Sequence, residues 1–250
     1  MKGWLKSGVK AITVVEPKPS AELKKLAKAK KITLAAAPSQ VKGKPSVCLV
    51  AIKPQVLKGE AGALTGFASS GALMISIAAG TSVAALTKAW GKTARIIRAM
   101  PNTPGAIGQG ITGLYAAKAA TPADRKRATS LLAALGETLW VKSESLIDSV
   151  TAVSGSGPAY LFLMAEALTE AGLAEGLSKP EAEKLARATV SGAGALLAAD
   201  TSSASALRQA VTSPGGTTEA ALKVLMAEDG LVLLMKRAVS AARKRAEELR

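Results

Sequence analysis

The chain has 250 residues, 48% hydrophobic and 20% charged, enough for one large or two modest globular domains with a real core. It has no histidine and one cysteine, Cys48, which excludes histidine triads, histidine metal sites, thiolate metal clusters and disulfides. The net charge of +15 invites a nucleic-acid reading, yet residues 1–60 hold thirteen lysines with no arginine and almost no aromatic residues to stack on bases.

Those lysines read as solvated helix faces, or as a positive field that attracts a small polyanion such as a dinucleotide. No apolar run approaches the ~18 residues of a membrane span, and no apolar stretch follows Met1-Lys2-Gly3-Trp4-Leu5 as in a signal peptide. The expected compartment is the cytoplasm, with no membrane and no nucleic-acid partner. The low aromatic content, 3%, and the abundance of Ala and Leu favour close helix packing. Cys48 lies in an apolar run and reads as a small buried hydrophobe.

In chain order, residues before Gly8 read as the last turn of a helix, and 9–15 as a strand ending at Glu16-Pro17. A helix over 20–31 takes Ser20 as its N-cap. Residues 47–52 (VCLVAI) form a buried strand ended by Lys53-Pro54, followed by a helix near 55–69. A strand over 72–77 runs into Ala78-Ala79-Gly80, a helix covers 82–90, and the strand 95–100 stops at Pro101. A further strand is expected at 111–116. Continuous apolar strands alternating with helices imply a mainly parallel sheet covered on both faces.

From about residue 122 only helices are expected: 122–135, 144–153, 158–174, 180–199, 203–212, 217–227 and 229–249. In the last of these, Leu231, Leu234, Met235, Ala238 and Ala242 share one face. Val232 and Leu233 make its first turns apolar all round, which points to burial in a subunit interface. The expected domains are 1–142 and 143–250.

Two constellations carry chemistry. Ala51-Ile52-Lys53-Pro54, Ala78-Ala79-Gly80 and Met100-Pro101-Asn102 each follow a strand, where ligands of open parallel sheets bind. Small residues let the backbone approach a flat ring, and Asn102 can pair with a carboxamide through its donor and its acceptor. Ordinary loop punctuation is the bland reading of any one loop; three in register favour a nucleotide. Ser213-Pro214-Gly215-Gly216-Thr217-Thr218-Glu219 leads into an amphipathic helix. Free backbone N–H groups at a helix start suit a carboxylate, and the hydroxyls add donors and acceptors. A plain capped turn is the alternative.

The segments AIKPQVL (51–57), SIAAG (76–80), RAMPNTP (98–104), DSVTAVSGSGPAYLF (148–162) and LRQAVTSPGGTTEAAL (207–222) together resemble pyrroline-5-carboxylate reductase. The resemblance implies a Rossmann-type, N-terminal parallel-sheet domain binding NADPH or NADH, followed by an all-α dimerisation domain that binds substrate. It implies hydride transfer to the C=N carbon of 1-pyrroline-5-carboxylate, giving L-proline, in a homo-oligomer that is a dimer and commonly a decamer. An imine is already electrophilic, which suits a chain without histidine or metal ligands. By the same resemblance, Thr218 hydrogen-bonds the ring nitrogen with Ser213 nearby, and backbone N–H groups of Gly215, Gly216, Thr217 and Thr218 hold the carboxylate. Ala51, Ile52, Lys53 and Pro54 line the adenosine side; Ala78, Ala79, Gly80 and Asn102 flank the nicotinamide. Glu16 ends the strand after which such folds read the ribose, which favours a free 2′-hydroxyl and NADH; Lys18 offsets this.

A reductase of the β-hydroxyacid dehydrogenase type is a rival, but its interdomain helix needs a lysine, and Gly157 to Gly172 contains none. The other rival is a cofactor-deficient, non-catalytic oligomer. It arises because no G-x-G-x-x-G/A turn joins an apolar strand to a helix; Gly108-Gln109-Gly110 comes too late. The expectation is that the first strand and its pyrophosphate turn are missing, that Met1 is an internal methionine or the chain a fragment, and that cofactor binding is poor.

Overall fold

The computed structural model describes residues 2–249, so the expectation attached to Met1 lies outside them. Helix α1 (Lys2–Lys6) is short and ends at Gly8, whose φ of 78° is the left-handed conformation expected of a helix-closing glycine. The Trp4 indole N–H donates to the Leu131 carbonyl at 2.6 Å, tying α1 to a distant part of the chain. Strand β1 (Thr13–Val15), helix α2 (Ala21–Lys28) and strand β2 (Thr33–Ala35) follow. Ser20 caps α2 by accepting from the Leu23 N–H at 3.3 Å, as the sequence predicts. β1 and β2 form a separate two-stranded parallel sheet.

The larger sheet begins with β3 (Val47–Val50). The helix expected near 55–69 is broken into α3 (Pro54–Glu60), a 3₁₀ turn over 61–64 and α4 (Thr65–Ser69). Gly59, Gly62 and Gly66 dilute helix propensity across this stretch, so the chain follows the surface it covers rather than one axis. Then come β4 (Leu73–Ser76), α5 (Val83–Trp90), β5 (Arg95–Met100), β6 (Gly110–Ala116), α6 (Pro122–Leu132) and β7 (Gly136–Trp140). The five strands lie in the order β3-β4-β5-β6-β7, all parallel except the antiparallel β5–β6 pair.

Side chains alternate between the faces as strand geometry requires. Leu73, Ile75, Ile97, Ala99 and Leu114 pack with Ala128 and Leu132 on one face. Val50, Met74 and Ile96 pack with Leu57, Leu86 and Trp90 on the other. Each fully buried Leu or Ile contributes about 1.5–3 kcal/mol, which is why these strands carry no alternating polar positions.

Two strands correct the sequence expectation. β2 was not anticipated, and strands do not stop at residue 122, because β7 lies beyond α6. β7 is half-buried and short, and its strand character depends on pairing with β6 rather than on its own composition. Gly136 starts that pairing with φ 124°, and a Cβ there would lie 2.0 Å from the Gly110 carbonyl oxygen. Gly136→Ala should therefore destabilise the fold by at least about 2 kcal/mol. Chemical denaturation checks this, and an unchanged midpoint would contradict it.

β1 and β3 each keep one edge without a strand partner among the described residues. Gly108 to Gly113 satisfies a glycine-rich spacing formally, but it leads from a 3₁₀ turn into β6, so its amides serve a sheet and not a phosphate.

Helix α7 (Leu146–Val150) passes into a π-helical turn over 151–155, where one helix over 144–153 was expected. Gly113 makes room for Val150: a Cβ there would come within 2.5 Å of the valine Cγ1. The chain divides into one compact unit of residues 1–155 with 243–250, and a second of 156–242. The second contains α8 (Gly157–Ala174), α9 (Lys179–Ala199), α10 (Ala204–Ala210), α11 (Thr217–Leu225) and the first part of α12 (Leu231–Glu248). No described helix is long and apolar enough to cross a membrane.

Candidate active site

The register Val50–Ser76–Arg98 aligns the carboxyl ends of β3, β4 and β5. The loops that follow therefore leave one edge of one sheet, which is where an open parallel sheet binds nucleotides. After β3, Ala51 and Ile52 are exposed, Lys53 occupies the N-cap of α3, and Pro54 is its first residue. Pro54 has no N–H to offer, so it serves a ligand by contact rather than by hydrogen bonding.

After β4, Ala78 is buried and its N–H donates to the Ser76 hydroxyl at 3.3 Å. Gly80 has φ 67°, and a Cβ there would lie 2.6 Å from the Leu249 carbonyl, so only glycine fits. After β5, Asn102 begins the 3₁₀ turn 103–107, and its Oδ1 accepts from the Ile111 N–H at 3.0 Å. That oxygen is already committed to holding the turn against β6. The side-chain NH₂ donors and the second lone pair of that oxygen are the groups Asn102 keeps for a ligand.

Glu16 lies just past β1, on the smaller sheet, and its Oε1 accepts from the Lys18 N–H at 2.9 Å. Its carboxylate is folded over the loop that follows the strand. Cys48 behaves as a structural residue: burial pushes its thiol up to about 11, so it carries no thiolate at neutral pH. Among the described residues, no three His, Cys, Asp or Glu side chains gather as a metal site.

The turn from Ser213 to Gly216 lies in the second unit, between α10 and α11. Thr212 donates its hydroxyl to the Arg208 carbonyl at 2.6 Å, anchoring the turn to α10. Gly215 has φ 72°, and Gly216 donates its N–H to the Ser213 carbonyl at 3.0 Å. A Cβ on Gly216 would come within 2.6 Å of the Ser213 hydroxyl, so this glycine keeps Ser213 beside the helix start. Thr217 and Thr218 are the first two residues of α11, where the helix has no carbonyl to give their N–H groups. Thr218 is half-buried, whereas Ser213 and Thr217 are exposed.

One feature was not anticipated. Gly215 donates its N–H to the Glu219 carboxylate at 2.6 Å, and Lys223 sits 3.7 Å from the same side chain. Of the four N–H groups expected to receive a carboxylate, those of Gly215 and Gly216 already have acceptors within the chain. Of those four groups, the ones at Thr217 and Thr218 have no acceptor within their own helix. A Glu three residues past the helix cap is the sequence signal that could have shown this.

The family model for pyrroline-5-carboxylate reductase dimerisation matches residues 144–249. The pyrroline-5-carboxylate reductase of Pseudomonas aeruginosa is 39% identical over 248 residues, 99% of this chain and 90% of that protein. A solved pyrroline-5-carboxylate reductase of Coxiella burnetii superposes with a TM-score of 0.90 at 38% identity, over 99% of this chain and 92% of that one. The Plasmodium falciparum pyrroline carboxylate reductase, solved with NADP bound, shares the fold at 23% identity, with a TM-score of 0.81 over 99% and 92% of the two chains. A dinucleotide-type sheet, a helical unit with a Ser-Pro-Gly-Gly-Thr-Thr turn and these likenesses lead to one assignment: the chain belongs to the pyrroline-5-carboxylate reductases, NAD(P)H-dependent oxidoreductases that reduce pyrroline-5-carboxylate to proline.

Proposed function

We propose that the turn from Ser213 to Glu219 binds 1-pyrroline-5-carboxylate and that the loops at 51–54, 78–80 and 102 bind the nicotinamide cofactor. The observation that carries the substrate assignment is the start of α11, where the Thr217 and Thr218 amides have no acceptor within their own helix and lie beside the Thr218 and Ser213 hydroxyls. The substrate carboxylate takes the Thr217 and Thr218 amides, with the helix dipole behind them. Thr218 then hydrogen-bonds the ring nitrogen with its hydroxyl, and Ser213 supports it.

Bound NADH or NADPH supplies the hydride that reduces the C=N carbon. The protein's part is to hold the imine in reach, exclude water and deliver one proton to nitrogen as carbon gains the hydride. Small residues at Ala78, Ala79 and Gly80 suit a flat ring, and the Asn102 NH₂ is a donor for a carboxamide oxygen. The short loops fit the adenosine and nicotinamide ends, while among the described residues no glycine-rich turn joins a strand to a helix for the pyrophosphate.

In this reading residues 1–142 form the dinucleotide domain and 143–250 the helical domain for dimerisation and substrate binding. The chain works as a homo-oligomer on a small-molecule substrate. A dimer that assembles further, to a decamer, and a cytoplasmic location complete the proposal. The lone cysteine and the exposed apolar residues of α8 and α12 support it.

The test is a spectrophotometric assay of the purified chain with 1-pyrroline-5-carboxylate. Oxidation of NAD(P)H with formation of proline is expected, and no turnover with either cofactor would reject the reading. Glu16 places a carboxylate at the end of β1, which disfavours a 2′-phosphate, so kcat/KM should be higher with NADH. A strong NADPH preference would show that Lys18 or another cation dominates.

A further inference from the structure

Glu144 lies outside every segment that the substrate and cofactor readings use, yet it joins two of the cofactor loops. Its Oε1 accepts from the Arg98 guanidinium at 2.7 Å and from the Val83 N–H at 2.7 Å. Arg98 is on β5, four residues before Asn102, and its side chain is only 3% exposed. Val83 is the first residue of α5, directly after the segment Ala78 to Ser82. Its N–H is one of the donors a helix start leaves without an internal acceptor, and the helix dipole favours an anion there.

One carboxylate oxygen therefore links the end of β5 to the end of the loop that follows β4. The link is reinforced within the sheet, because Arg98 pairs in register with Ser76, whose hydroxyl holds the Ala78 N–H. The strand carries a second ion pair at its other end, where Arg95 meets Asp124 at 2.8 Å. Asp124 also caps α6 and is remote in sequence from both loops. It gives an internal comparison, a buried carboxylate on the same strand with no connection to the cofactor edge.

We propose that Glu144 is a positioning residue for the nicotinamide cofactor, setting the Ala78–Gly80 loop and the Asn102 turn at a fixed separation through Val83 and Arg98. This rests on the assignment of those loops to the cofactor. Without the bridge the two loops keep their own backbone bonds but lose their common anchor, so the ring and carboxamide contacts no longer form together.

The experiment compares Glu144→Ala, Glu144→Gln and Asp124→Asn with the wild-type chain. It reads NADH and NADPH binding by cofactor fluorescence, steady-state KM for each substrate, and melting temperature. Glu144→Ala should raise the Kd and KM for cofactor roughly tenfold while the KM for 1-pyrroline-5-carboxylate changes less than about twofold. Removing the carboxylate leaves a buried guanidinium unpaired, so Glu144→Gln, which fills the same space and keeps an acceptor for Val83, provides the folded variant. It should show a smaller loss, about threefold, with the same selectivity for cofactor. Asp124→Asn should lower the melting temperature without changing the cofactor KM.

Unchanged cofactor affinity in both Glu144 variants would overturn the proposal. So would a loss shared equally by both substrates and matched by Asp124→Asn, because that is the behaviour of a purely structural ion pair. A wild-type chain with no saturable nicotinamide-dinucleotide binding would instead overturn the cofactor assignment itself, and the role of Glu144 with it.

Discussion

Thr218→Val should lower kcat/KM for 1-pyrroline-5-carboxylate by about two orders of magnitude, the scale of losing a positioned proton donor. Valine keeps the shape of threonine and removes only the hydroxyl. In the reaction the ring nitrogen becomes more basic as the carbon accepts the hydride. A donor held on the nitrogen at that moment stabilises the transition state more than the bound imine, so most of the loss should appear in kcat. The first turn of α11 holds Thr218 half-buried beside the amides proposed for the carboxylate. Steady-state kinetics check the prediction, with the oligomeric state measured alongside to show that the fold is intact. If Thr218→Val keeps a third or more of the activity, while Ser213→Ala loses most of it, proton delivery belongs to Ser213.

Phe162→Glu should convert the homo-oligomer to a dissociated chain at micromolar concentration. α8 leaves Leu161, Phe162 and Leu163 each more than half exposed, and α12 does the same with Val232 and Leu234. Exposed apolar clusters of this kind mark interaction surfaces, and these helices lie in the region matched by the dimerisation model. Burying a phenylalanine side chain contributes about 1.5–3 kcal/mol, and a twofold interface counts every substitution twice. Losing both, with two carboxylates left to desolvate, weakens association by roughly four orders of magnitude. Sedimentation or light scattering reads the mass directly. A variant that remains fully oligomeric would place the interface on another face.

The apolar start of the last helix was visible in the sequence. Val232 and Leu233 break the amphipathic pattern of the last helix, and that alone pointed to a partner surface. The structure leaves this stretch exposed on the single chain. Ser20 as a cap and the strand over Arg95–Met100 were equally legible, because both follow from bonding and polarity within a few residues. The stretch from α3 to α4 was less so, since Gly59, Gly62 and Gly66 permit several local paths and packing chose among them.

Site geometry divided in the same way. The Ser-Pro-Gly-Gly-Thr-Thr string marked a helix start that the structure places at Thr217, since free amides and hydroxyls are properties of that local order of residues. Which amides are open was not readable. Glu219 reaches back to Gly215, and Ser213 takes Gly216, through bonds that depend on how the turn closes. Asn102 shows the same limit: its oxygen is held by Ile111, nine residues away and on another element.

The amino-acid sequence by itself determined the family, the alternation of strands and helices, the helical second half and the chemistry available at the turn. Each of these depends on side-chain type and on spacing within one element. Only the tertiary structure decided that β1 and β2 stand apart from the five-stranded sheet, that β7 completes that sheet, and that Glu144 bridges Arg98 and Val83. Strand pairing and buried ion pairs join residues tens of positions apart, and their energy exists only once the chain has closed those distances.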